Sequence, residues 1–130
     1  MEQILETALQ KSADGFIILG TELSPADVQS FSVIRKPIVF IDTYQKFVNF
    51  DFVDMNNEDS MFMLLSHLYE KGHRSFGLVK GKIETRNFRL REVGFLEGLH
   101  KLGLKEDRDA FFSVDQTYHG AYNDMKKILD

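Results

Sequence analysis

The side chains able to do chemistry are few, and most fall at the ends of apolar runs. Asp42 closes the run Ile38-Val39-Phe40-Ile41. A carboxylate there can accept two hydrogen bonds in a fixed plane, or it can cap the turn that follows. Arg86, Arg89 and Arg91 stand in one polar stretch after Phe76-Gly77-Leu78-Val79. A guanidinium is a planar fork of donors, suited to binding rather than to bond breaking. His67 and His73 are six residues apart, so they are not an i, i+4 pair, and neither has a carboxylate at metal-ligand spacing. They read as structural rather than catalytic or metal-binding residues, and His100 and His119 as ordinary surface or packing residues. There is no cysteine, which excludes disulfides, thiolate metal sites and thiol nucleophiles. No Gly-x-Gly-x-x-Gly stands at a strand–helix turn, and no Ser-His-Asp order is convincing. The first strand ends Leu19-Gly20-Thr21 with only Glu22 nearby, not the acidic cluster of a phosphoacceptor domain. The inventory points to binding: not an enzyme, with no cofactor and no metal.

An alternating pattern of elements must position these groups. Gly72 stops a helix, because glycine takes the left-handed cap conformation at low cost. Phe76 to Val79 suits a central parallel strand. Gly81 opens a turn, so the loop Lys82–Asn87 lies at the carboxyl end of that strand, where open α/β sheets bind their ligands.

Upstream, Ile4, Leu5, Ala8 and Leu9 share a helical face over residues 2–10, and Phe16 to Leu19 form a strand. Ser24-Pro25-Ala26-Asp27 starts a helix, with Ser as cap, Pro first and Asp reaching back. Its stripe is Val28, Phe31 and Ile34. Pro37 blocks it, and Ile38 to Ile41 form the second strand. Residues 43–51 have no clear period and read as a connecting loop. Phe52 to Met55 is a short strand. Asn56 or Asn57 caps a helix with Met61, Leu64, Leu65 and Leu68 in register. A helix from about Asn87 to Leu102 carries Phe88, Phe95, Leu99 and Leu102, and Gly103 caps it. Ala110 to Val114 is a strand, and Tyr118, Tyr122, Met125 and Leu129 mark a last helix. The order α-β-α-β, loop, β-α-β-α-β-α predicts an α/β fold, a parallel sheet with helices on both faces. The stretch 43–51 is the only candidate boundary.

The chain has 130 residues, 43% hydrophobic and 28% charged, ordinary for a globular domain with a modest core. The net charge is −4 and the basic residues are scattered, so this stretch alone is a poor nucleic-acid binder. No apolar run reaches the length of a membrane span, and the first residues are acidic and amphipathic, unlike a secretory signal. The chain reads as cytoplasmic. Twelve Phe and no Trp read mostly as core, with Phe47, Phe50 and Phe52 packing in the core or at a junction.

His67-Leu68, Gly72-His73-Arg74, Gly81, then Arg91 followed by Gly94-Phe95 resemble, in this order, the effector-binding core of the lactose-repressor (LacI/GalR) family. Ala13-Asp14-Gly15-Phe16-Ile17-Ile18-Leu19 and Pro37-Ile38-Val39-Phe40-Ile41-Asp42 are similar to its Ala-Asp-Gly and Pro-Val-x-x-x-Asp strands. The resemblance covers nearly the whole chain. It implies a periplasmic-binding-protein-like fold (type I) in two partial lobes. Residues 1–50 would end the amino-terminal lobe and residues 51–130 would begin the carboxy-terminal lobe. The remaining parts of each lobe would precede residue 1 and follow residue 130. It also implies a small-molecule effector, a sugar or sugar derivative, held between lobes of a homodimer. Operator DNA would be reached only through a helix-turn-helix, which nothing in this chain resembles. A transport-type solute-binding protein shares the fold, but would need an export signal and lacks the Gly-His-Arg signature.

The resemblance also assigns residues. Asp42 corresponds to an acidic residue at the cleft hinge that contacts sugar hydroxyls or the opposite lobe. Arg91 corresponds to the arginine that binds effector with its fork. Arg86 and Arg89 match less well and read as a solvated face. Asn87 falls at a small polar ligand contact and could equally cap its helix. Asn56 matches the first residue of an Asp-Asn pair at the lobe crossover; here the pair is Asn56-Asn57, without the carboxylate. Ser60 sits where the family often has Gly. Gln116 stands where the family often has an aromatic ring stacked on the ligand, a contact Gln does not supply. The expected effector-binding set is Asp42, Asn56, Asn87, Arg91 and Gln116.

Overall fold

A computed structural model describes residues 13–130, so the helix expected over residues 2–10 lies outside the described residues. The chain forms two compact units, one ending at Met55 and one starting at Asn56.

In the first unit, β1 (Phe16–Leu19), β2 (Ile38–Ile41) and β3 (Asp51–Val53) form a parallel sheet in the order β1-β2-β3. Helix α1 (Pro25–Ser30) joins β1 to β2. Its capping box forms as the sequence predicts: Asp27 N–H donates to Ser24 Oγ at 3.2 Å, and Ser24 N–H donates to Asp27 Oδ2 at 2.9 Å. The helix tightens into a 3-10 turn at Phe31–Val33, yet Val28, Phe31 and Ile34 are all buried, so the stripe does its work across both pieces.

Side chains alternate across the sheet. The inner rows, Phe16–Ile38 and Ile18–Phe40–Phe52, face the helix and its turn. Phe40 is fully buried; Phe31 and Phe50 meet its ring edge-on at 5.5 and 5.2 Å, and Phe52 stacks on it at 5.6 Å. The phenylalanine-rich loop therefore splits. Phe50 and Phe52 pack on the core, while Phe47 is fully exposed with φ 66°. On the outer face Ile17, Leu19 and Val53 are 77%, 66% and 60% exposed.

The strand expected at 52–55 is found at Asp51–Val53, in register with Val39–Ile41. Its ladder with β2 carries residue 51 and its neighbours into the first unit's sheet. The expected boundary after residue 50 falls inside that sheet, and the compact units divide after Met55 instead.

The second unit contains α2 (Asn57–Glu70), β4 (Leu78–Gly81), α3 (Arg86–Lys101), a 3-10 turn (Arg108–Ala110), β5 (Phe111–Val114) and α4 (Tyr118–Leu129). Strands β4 and β5 pair in parallel, Leu78 opposite Phe111. Leu65, Phe95 and Leu99 are buried, with Met61, Phe76, Leu78, Leu102 and Phe111 packed around them. The stripe on α2 is narrower than its spacing suggests, because Leu64 is half exposed. On α4 the expected stripe is largely uncovered: Tyr118, Tyr122 and Leu129 are exposed.

Both cap glycines behave as the sequence predicts. Gly72 has φ 96° and Gly103 φ 67°. Each closes a Schellman motif, with His73 N–H donating to Leu68 O at 3.1 Å and Leu104 N–H to Leu99 O at 2.9 Å. The Gly-His-Arg signature is thus a helix stop. Arg74 continues it, lying 3.9 Å over the Tyr69 ring and donating to Tyr69 O at 2.8 Å. All four histidines are exposed, so His67 and His73 take no part in the core.

Candidate functional site

The amino ends of α2 and α3 are brought together in the second unit by close helix packing. At Gly94 the two backbones nearly touch, and at Gly98 the side chains of Leu65 and Phe62 fill the missing volume. Asn56 caps α2, accepting from Asp59 N–H at 3.3 Å and donating to Asp59 Oδ2 at 2.5 Å. It is exposed, and its amide is used within its own turn. Asn57, one residue on, is buried and turns toward α3.

There Asn57 meets two expected site residues. Arg91 Nε donates to Asn57 Oδ1 at 2.8 Å, and Asn57 Nδ2 donates to Asn87 Oδ1 at 3.3 Å. Asn87 is itself buried. It is not the helix cap: Thr85 is, accepting from Phe88 N–H at 3.3 Å. A guanidinium, a buried amide and a second buried amide therefore form one chain of hydrogen bonds within a single unit. Arg86 is half-buried and Arg89 exposed.

The loops after β4 and β5 are tied to each other. Gln116 lies over Gly81, where no Cβ would fit, and its Nε2 donates to Ile83 O at 3.2 Å. Gln116 thus braces the loop Lys82–Thr85 instead of presenting a stacking surface. Lys82 Nζ donates to Asp124 Oδ2 at 2.6 Å, and the same oxygen accepts from Asp115 N–H at 3.0 Å. The Lys82 ammonium, then the Asp115 amide, hold the Asp124 carboxyl below its usual value, and Asp124 raises Lys82 in return. Thr117 lowers Asp115 through its hydroxyl and its backbone N–H. On β4, Lys80 is raised by Glu84 and Glu92, which it contacts at 2.7 and 2.8 Å. Salt bridges thus occupy both lysines near the strand end.

Asp42 belongs to the first unit. It has φ 61°, a left-handed conformation that Asp tolerates better than most residues. Its N–H donates to Val53 O at 2.8 Å, and its Oδ2 accepts from Thr21 Oγ1 at 2.6 Å. The carboxylate is therefore held just past the end of β2 and linked to Thr21, two residues past β1.

Asn57 is the residue that sequence reasoning passed over. The signal was the pair Asn56-Asn57 itself: only one can cap, and the other must place an amide elsewhere. Among the described residues no group of three His, Asp or Glu could hold a metal, and no helix is long and apolar enough to cross a membrane.

Parallel strands with crossover helices give a fold of the periplasmic-binding-protein-like class, shared with solved LacI-type regulators. Within that class the chain matches repressors of the LacI/GalR family, the family its signature residues resemble. It is 26% identical over 128 residues to the HTH-type transcriptional repressor CytR of Escherichia coli strain K12, covering 97% of this chain and 37% of that protein. A sugar-binding transcriptional regulator of the LacI family from Escherichia coli, complexed with phosphate, superimposes with a TM-score of 0.81. It is 16% identical and covers 98% of this chain and 46% of its own. A complex of the transcriptional regulator CelR with cellobiose gives a TM-score of 0.77 at 22% identity, covering 99% of this chain and 40% of its own. No family model matches the chain. The chain spans about 37% of the length of the curated relatives it matches, which are HTH-type transcriptional repressors.

Proposed function

We propose that this chain is part of the effector-binding core of a LacI-type transcriptional repressor. Its two units correspond to parts of the two lobes. The effector is a small molecule, a sugar or sugar derivative, and Arg91 is its principal contact. The observation that carries this reading is the Asn57–Arg91–Asn87 chain of hydrogen bonds, which orients a guanidinium beside the strand-end loop. Asn87 and Gln116 serve the site in the second unit, Gln116 by bracing the loop, and Asp42 is the contact proposed for the first unit. Asn56 serves it indirectly, by fixing the turn that carries Asn57.

In the parent protein, effector binding biases two global states of a homodimer whose DNA-binding heads reach the operator in the cytoplasm. A transport protein of the same fold is the weaker reading, because the relatives matched are repressors. The test is a thermal-shift screen of the chain with sugars, sugar phosphates and nucleobases, repeated with Arg91→Ala. Ligands of the native state raise its melting temperature by mass action. A shift lost in the variant supports the reading; shifts unaffected by the variant, or none at all, count against it.

A further inference from the structure

We propose that Asp124 is the positioning residue of the loop Lys82–Thr85, and that its carboxylate latches this loop, the loop after β5 and helix α4 into one body. The latch goes beyond the effector-site reading and holds whether or not the loop meets an effector.

Asp124 stands in the second turn of α4. Its Oδ2 accepts from Lys82 Nζ at 2.6 Å and from Asp115 N–H at 3.0 Å. Lys82 is the first residue past β4, and Asp115 the first past β5. One oxygen on a helix thus bonds the first residue beyond each strand. The two strand ends cannot part, and α4 cannot withdraw from them, without a bond being lost. Lys82 N–H also donates to Val114 O at 2.9 Å, so the loop leaves β4 already bonded to β5.

The following residues are held in turn. Ile83 O accepts from Gln116 Nε2 at 3.2 Å, and Glu84 meets Lys80 at 2.7 Å. Thr85 then caps α3, accepting from Phe88 N–H. Residues 82 to 85 are therefore each bonded, and α3 starts from a fixed point. The Lys82–Asp124 bond adds α4 to this set.

A charge-assisted bond is about twice as strong as a neutral one. The Asp124 side chain is 21% exposed against 56% for Lys82, so water reaches the acceptor less than the donor. The lowered Asp124 carboxyl and the raised Lys82 ammonium carry the sign of a formed pair. Lys127 lies 3.7 Å from the other oxygen, Oδ1, and takes neither bond from Oδ2. The Asp115 carboxylate is used separately, accepting from Thr117 N–H at 2.7 Å at the turn into α4.

The test is amide hydrogen exchange of the 130-residue chain, read by NMR without ligand. Asp124→Asn keeps an oxygen for Asp115 N–H and removes the charge that holds Lys82. Exchange at Lys82 N–H should quicken about three- to tenfold, while Leu99 N–H in the core of α3 keeps its rate. Lys82→Met should reproduce the effect, and the double variant should exchange no faster than either single one, because both remove the same bond. Raising salt from about 0.01 M to about 1 M should bring the unaltered chain to the variants' rate and leave the variants where they are. Should Asp124→Asn not fold, Lys82→Met carries the test from a side chain that is half in water. Unchanged exchange at Lys82 in the variants, or effects that add in the double variant, would overturn the latch. Equal quickening at Leu99 would mean a loss of global stability and would overturn it too. No ligand enters this measurement, so a flat thermal-shift screen bears on the effector site alone.

Discussion

Gly94 of α3 and Glu58 of α2 meet backbone to backbone: a Cβ built on Gly94 would lie 2.6 Å from the Glu58 Cα. The residue before Glu58 is Asn57, and Arg91 lies one turn before Gly94. This contact therefore sets the distance across which Arg91 and Asn57 bond. Alanine at 94 would gain about 1 kcal/mol of helix propensity but would push against main chain that cannot yield. Gly94→Ala should cost about 1–3 kcal/mol net in urea unfolding and weaken Arg91-dependent binding with it. Gly98→Ala should cost less, since its nearest neighbour is the Leu65 Cδ1 at 2.7 Å, the far end of a side chain that can turn.

Phe40 holds the first unit together through three ring contacts and is fully buried. Phe40→Ala should cost about 3–5 kcal/mol, seen as a lower urea midpoint for the first unit. Phe47→Ala, at a fully exposed ring, should change the midpoint little.

Gly72 and Gly103 are left-handed, and a Cβ at either would meet nothing within 4 Å. Their cost on substitution is therefore conformational alone. Gly72→Ala and Gly103→Ala should each lose about 1–2 kcal/mol, and the two losses should add in the double variant.

The pH dependence follows from the charges beside the strand ends. Asp124, Asp115 and Asp27 have lowered pKa values, through Lys82, Thr117 and Ser24 respectively. Their contribution is present above the unfolded carboxylate value of about 3.9 and is lost as pH falls through the lowered folded values. Lys80 and Lys82 are raised by Glu84 and Asp124. Their contribution is present below about 10.4 and is lost as pH rises through the raised folded values. The urea midpoint should therefore be flat near neutrality and fall at both extremes. These groups are exposed or only partly buried, so solvent screens them and both limbs should be shallow. Asp124→Asn should reduce both limbs, because it is the partner of Lys82.

The alternation of strands and helices was legible because each apolar run is short and ends at a breaker: Gly20, Pro37, Gly72, Gly81, Gly103. Both glycine caps and the Ser24–Asp27 box were readable to the residue, since their chemistry is local. What the sequence hid was long-range. Strand β3 joins the first unit's sheet through hydrogen bonds that residues 51–53 do not announce. Leu64 and Tyr122 repeat at helical spacing but face outward, because periodicity does not say how wide the covering surface is. The family resemblance singled out Arg91 and Asn87, and the structure links both to Asn57 by hydrogen bonds. Asn57 itself was not legible, because the choice of which asparagine caps depends on a helix 30 residues away.

The outer face of the first sheet, with Ile17, Leu19 and Val53 exposed, has a calorimetric consequence. The heat-capacity increase on unfolding measures apolar surface newly given to water, and those side chains are wet already. The chain should unfold with an increment below the usual figure of about 12–15 cal/mol/K per residue. Its stability curve should accordingly be flatter with temperature than that of a fully dressed domain of equal length. A molecule that covered this face would restore the missing curvature, whichever way it changed the melting temperature.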